Sequence, residues 1–168
     1  MRHRYLILAS VLGLALAVPS LAQTTYSTVM TGLNEVPANA SPATGSATAV
    51  VNAAQTHVTI SCSFQNLVGN YTSSHLHGPA SPTQNAGVQI GFVPPGAPWL
   101  FSNGNHDGQL INYTVPITAT QISYLNAGTM YVNVHSTVFP GGEIRGQLAL
   151  GPVPNEKSTW ARVKKLYR

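Results

Sequence analysis

Charge is what this sequence has least of. Lys, Arg, Asp and Glu together make up 7% of its 168 residues. The formal net charge of +4 conceals how they are placed. Arg2 and Arg4 lie at the start, and Lys157, Arg162, Lys164, Lys165 and Arg168 lie at the end with Glu156. Between Gln23 and Leu150 the charged residues are Glu35, Asp107, Glu143 and Arg145, a net −2. A nucleic-acid-binding face neutralises phosphates with clustered Lys and Arg, and one Arg in the body excludes that class. Cysteine is scarcer still. Cys62 stands alone, so no intramolecular disulfide staples the fold. It lies in the alternating row Val58, Ile60, Cys62, Phe64 and reads as a small buried hydrophobe. Catalytic signatures are missing too. There is no Gly-x-Ser-x-Gly elbow, phosphate loop, zinc-protease helix motif or Cys–His pair, and the expectation is a protein that is not an enzyme.

What is present begins with a basic start, an apolar run from Leu6 to Val18 and the small-x-small site Ser20-Leu21-Ala22. That layout predicts a signal peptide over residues 1–22 and a protein that is secreted or periplasmic. The run is too short for a spanning helix, and no second run of membrane length follows, so no transmembrane segment is expected after cleavage. Residues 23–150 suffice for one domain with a real core. Residues 151–168, with Pro152, Pro154 and five basic side chains, read as a basic, flexible tail.

Apolar residues alternate with period two through most of the body, the strand signature. The predicted strands are Thr25–Met30, Ser46–Asn52, His57–Phe64, Thr72–His77, Val88–Phe92, Gln109–Val115, Thr129–His135 and Glu143–Leu148. Gly, Pro and Asn clusters separate them. Thr118–Asn126 alone reads as a helix, with Gly128 as its stop. The expected class is all-β, an antiparallel Greek-key, immunoglobulin-like sandwich with one short helix.

Two segments concentrate the polar chemistry. His75 and His77 share one face of a strand, as residues two apart do. In the last two strands Tyr131, Asn133 and His135 face one way, as do Glu143, Arg145 and Gln147. A hairpin that sets Asn133 opposite Arg145 and Tyr131 opposite Gln147 also aligns Val134 with Ile144. A one-residue slip would bury charge, so the pattern selects this register. Tyr131, Asn133, Glu143, Arg145 and Gln147 then form a candidate binding patch. His75 and His77, completed by His135, match a Cu or Zn ligand set with one open position, and Glu143 is a candidate outer partner. The alternative is a cluster of structural polar side chains. Arg145 is expected to pair with Glu35 or Glu143, and His57 and His106 are expected to be solvated.

The blocks Leu33-Asn34-Glu35-Val36-Pro37, His75-Leu76-His77-Gly78-Pro79-Ala80, Leu125 to Ser136 and Pro140 to Leu148 occur in the order of a known family. On these residues the chain resembles the CHRD domain family, named for the repeated domain of chordin. The resemblance implies an extracellular, immunoglobulin-like β-sandwich. It implies no reaction and no established cofactor. In chordin the domain accompanies cysteine-rich modules and growth-factor binding, while bacteria carry it as single secreted domains. With no such modules here, the single-domain bacterial form is the closer likeness. The His-x-His strand is also similar to that of copper-zinc superoxide dismutase, but the other ligands and the disulfide of that enzyme are missing. Two functions follow as expectations. One is a non-catalytic binding or structural module for an extracellular protein or polysaccharide, with a homodimer as a further expectation. The other is a secreted Cu- or Zn-binding protein built on His75, His77 and His135.

Overall fold

The computed structural model describes residues 22–92 and 98–151. The signal peptide expected over residues 1–22 and the tail expected over 151–168 lie outside the described residues, except for Ala22 and Gly151. Ten strands follow in chain order: β1 (Thr24–Thr31), β2 (Thr44–Val51), β3 (His57–Gln65), β4 (Tyr71–His77), β5 (Val88–Gly91), β6 (Trp99–Ser102), β7 (Asp107–Pro116), β8 (Tyr131–Ser136), β9 (Ile144–Gln147) and β10 (Ala149–Leu150). One helix, α1 (Ala119–Asn126), lies between β7 and β8. Its start is fixed by a capping box. The Thr118 side chain accepts from the Gln121 backbone N–H, and the Gln121 side chain accepts from the Thr118 N–H. No helix among the described residues is long and apolar enough to cross a membrane.

The fold is all-β and antiparallel with one short helix, as expected. The strands, however, form one path, β5-β4-β8-β9-β1-β2-β3-β7-β6, with β10 added beside β1. The two separate layers expected from the sequence are joined by a narrow seam, the pair Thr31–Arg145 between β1 and β9. The sheet curls about that seam into a half-barrel, with its inner face closed on itself. Met30, Ile60, Leu76, Leu110, Val132, Val134 and Ile144 are all buried there. Each side chain of this size contributes about 1.5–3 kcal/mol on burial. Phe64 of β3 stacks on Tyr71 of β4 at 5.3 Å, and Trp99 of β6 meets Tyr71 at 5.1 Å. These contacts bring the far ends of the path face to face.

The hairpin register read from the sequence is the one observed. Tyr131 pairs with Gln147, Asn133 with Arg145 and Val134 with Ile144. β4 lies on the other side of β8, with Ser73 opposite His135, His75 opposite Asn133 and His77 opposite Tyr131. Every residue of β8 is buried. One of its faces belongs to the apolar core. The other is covered by three loops: Leu33–Ser41, Pro79–Gly87 and Thr137–Glu143. This polar second layer holds the candidate site.

Candidate functional site

β4 and β8 bring His75, His77 and His135 together, and one nitrogen from each lies within 4.8 Å of the others. His77 and His135 are buried and His75 is half-buried. His75 and His135 are diagonal neighbours across the ladder, and their ring centroids are 5.0 Å apart.

The hydrogen bonds fix the ring tautomers. The Nδ1–H of His77 donates to the Ala86 carbonyl at 3.0 Å, and the Nδ1–H of His135 donates to the Pro140 carbonyl at 3.0 Å. A carbonyl only accepts, so in each neutral ring Nε2 is a bare lone pair. His135 Nε2 accepts from His75 Nδ1 at 3.1 Å. His77 Nε2 is buried with no hydrogen-bond partner. An unsatisfied buried acceptor costs about 1–3 kcal/mol, and a metal ion held in a three-imidazole cluster could relieve it. Carbonyl acceptors on the far ring nitrogen are also the usual outer partners of metal-ligating His.

Burial favours the neutral rings. It depresses the pKa of His135 to about 4, reinforced by His75 and His77 and opposed by the Pro140 bond. It lowers His77, against the Ala86 bond and with help from Arg145. His75 is lowered by burial and by His77. Neutral imidazole is the form that binds metal.

Tyr131 walls the cluster. Its ring stacks on His77 at 5.0 Å and 8°, and Arg145 Cζ lies 3.5 Å from its centroid. The Tyr131 hydroxyl accepts from the Ala86 N–H at 3.1 Å, tying the same loop that holds His77. Arg145 is 1% exposed. Its guanidinium donates to Asn85 Oδ1 and to the carbonyls of Ser81 and Gln84, at 3.1, 3.2 and 2.9 Å. The expected ion pair with Glu35 or Glu143 is not formed, because loop oxygens converge on the guanidinium first. Glu143 is likewise not an outer partner of the histidines. It is fully buried and accepts from Ser41 Oγ and the Val68 N–H, each at 2.6 Å, and from Ser136 Oγ.

The other residues predicted for the patch are also covered. Tyr131 and Asn133 are 2% and 4% exposed, and Gln147 is half-buried with its amide donating to the Ala80 and Gly128 carbonyls. What opens to solvent nearby is a cleft of about 540 Å³ between the Leu33–Ala38 loop and Pro82–Thr83, with Glu35, Arg145 and Gln147 in its lining. Glu35 is 6% exposed, and burial pushes its carboxyl up to about 7 against the pull of Arg145. Sequence reasoning did not find the site's carbonyl acceptors, Ala86 and Pro140. Their loops carry no side-chain signal, though Pro and Gly clusters mark them as turns. Cys62 is buried and its thiol is pushed up to about 12 by burial, the inert state expected of it. His106 is not free in solvent, since its Nδ1–H donates to the Leu67 carbonyl.

A search of curated proteins and of solved structures gives no match. The family model of the CHRD domain matches residues 26–148. That span takes in β1 through β9, the three histidines and the polar second layer, and the chain belongs to the CHRD domain family.

Proposed function

We propose that this CHRD domain is a non-catalytic, secreted or periplasmic protein that holds one Cu or Zn ion through His75, His77 and His135. The observation that carries the reading is the three-imidazole cluster in which His77 Nε2 is buried and unpartnered. Four-coordinate Zn–N bonds of about 2.0–2.1 Å place ligand nitrogens about 3.3 Å apart. The cluster therefore needs a closing movement of about 1.5 Å at most from its 4.8 Å limit. His77 and His135 are tethered by carbonyls, and among the described residues no backbone group is bonded to the His75 ring. His75 is thus the ligand that moves. For His75 Nδ1 to serve as a ligand, its proton would have to lie on Nε2, at the expense of the bond to His135. Three nitrogens leave a fourth position open, which suits a site that exchanges or carries metal.

The test is elemental analysis of the protein after Cu(II) or Zn(II) loading and desalting. About one metal per chain is expected. His77→Ala and His135→Ala should each lose it while remaining folded by circular dichroism. No retained metal, or equal retention in both variants, overturns the reading.

A second reading is a binding module for an extracellular protein or polysaccharide. The cleft beside Glu35 and Arg145 favours it, because it is the open edge of an otherwise covered polar layer. Under either reading the curled sheet acts as an immunoglobulin-like sandwich, with β3 and β6 against β4 standing for its two layers. A homodimer through an edge strand, β5 or β6, belongs to the same proposal.

A further inference from the structure

We infer that Glu35 is a proton-operated latch: its carboxyl is protonated in the folded molecule and forms a two-way hydrogen-bonded pair with the Asn133 side-chain amide, tying the Leu33–Ala38 loop to β8. The inference does not rest on the metal reading, since no histidine takes part.

Two unpartnered oxygens motivate it. The Asn133 Nδ2–H donates to Glu35 Oε2 at 3.3 Å. Glu35 Oε1 and Asn133 Oδ1 are both buried with no partner. They border a single point. A Cβ placed on Gly142 would come within 2.7 Å of Glu35 Oε1 and 2.6 Å of Asn133 Oδ1. Gly142 has φ +136°, so backbone conformation and space both call for glycine there. Asn133 Nδ2 lies as near that point, at 2.6 Å, so the whole amide borders the carboxyl, and an ionised Glu35 would leave two bare acceptors buried there. One proton on Oε1, taken from water, makes it a donor to Oδ1 and satisfies both atoms.

The surroundings agree. Facing Glu35 are Asn133 from β8, which is uncharged, Gly142 from the covering loop, Arg145 from β9 and the Val36 backbone of its own loop, whose hydrogen bond, like that of Asn133, favours the ionised acid but is outweighed by burial. Arg145 favours the ionised acid, yet the hydrogen bonds of its Nη1 and Nη2 go to Asn85, Ser81, Gln84 and Gln147, and none goes to Glu35. β4 contributes His75 opposite Asn133, a ring that burial keeps neutral. Glu143, next to Gly142, is turned to Ser41, Val68 and Ser136. With no cation bonded to it, Glu35 keeps its proton to about pH 7, burial being the main cause. Above that pH the proton leaves, Oε1 and Oδ1 repel, and the loop that walls the 540 Å³ cleft loses this tie. The loop that walls the cleft is tied to β8 in mild acid and loosened in mild alkali.

The test is carboxyl carbon NMR of the full chain labelled with ¹³C-glutamate, which places label at Glu35, Glu143 and Glu156. One side-chain resonance should titrate with a midpoint of about 7 and be absent from Glu35→Gln. The backbone amides of Leu33 and Thr83 should shift with the same midpoint in the wild type. They should stay still in Glu35→Gln, whose amide reproduces the donor and acceptor of the acid. A Glu35 resonance that titrates below about pH 5 overturns the latch. If Glu35→Gln does not fold, through-bond assignment of the wild-type resonance identifies Glu35, and the same midpoint decides.

Discussion

Glu143 shows what a buried acid does here without a cation. It is 0% exposed and accepts from Ser41, Val68 and Ser136, which lie on the Leu33–Ser41 loop, the β3–β4 turn and β8. Three segments distant in sequence are thereby pinned to one carboxylate. Glu143→Gln keeps the shape but replaces one acceptor oxygen with an NH₂ that must face a hydroxyl or N–H donor. Losing a charge-assisted bond and stranding a buried donor costs about 2–4 kcal/mol. The urea midpoint of Glu143→Gln should fall accordingly, while metal retained per folded chain stays unchanged because Glu143 bonds none of the histidines. A loss below about 0.5 kcal/mol would mean that the three donors find other acceptors. This role was not legible in the sequence. Alternation placed Glu143 on the polar face, but its partners come from loops whose path the alternation does not determine.

At the scale of elements, the β8–β9 register was legible because only one alignment keeps Val134 and Ile144 inside and Asn133 and Arg145 out of the core. The three-histidine set followed from the same logic, since residues two apart share a face. α1 was legible from the spacing of Ile122 and Leu125 and from its stop at Gly128, while its capping box emerged only in the structure. β6 and β10 were not foreseen. β10 is two residues long, too short for a period to be read, and β6 opens with the unbroken apolar run Trp99-Leu100-Phe101, which shows no alternation. Nor was the joining of the layers, which rests on one pair, Thr31–Arg145. Gly146 guards that seam. A Cβ there would come within 2.6 Å of the Val29 carbonyl and closer still to Thr28 Oγ1. Backbone cannot yield as a flexible side chain does, so Gly146→Ala should separate β9 from β1 at a cost of about 1–3 kcal/mol. Faster hydrogen exchange confined to β1 and β9 would report it. Exchange that rises uniformly, or not at all, would show that the seam is not the weak line of the sheet.

At the scale of the whole molecule, sparse charge makes single ionisations readable. Glu35 has a raised folded-state pKa, about 7 against an ordinary 4.5. The folded protein then binds this proton more tightly than the unfolded chain. The stabilisation is complete below about pH 4.5 and is lost as pH rises through 7. A difference of this size corresponds to about 3 kcal/mol as an upper figure. His135 works in the opposite direction. Its folded pKa is depressed to about 4, so its contribution is present above the ordinary 6.5 and lost as pH falls. His75 and His77, lowered in the same direction, add to the His135 slope, so between about pH 4.5 and 6.5 Glu35 offsets only part of the rise in stability with pH. Subtracting wild type from Glu35→Gln cancels the histidine contribution, because both proteins carry it. The variant should therefore gain stability relative to wild type steadily from pH 5 to pH 8, by up to about 3 kcal/mol in urea unfolding. A constant difference across that range would mean that Glu35 keeps the same charge in folded and unfolded chains, and that Asn133 Oδ1 finds its donor elsewhere.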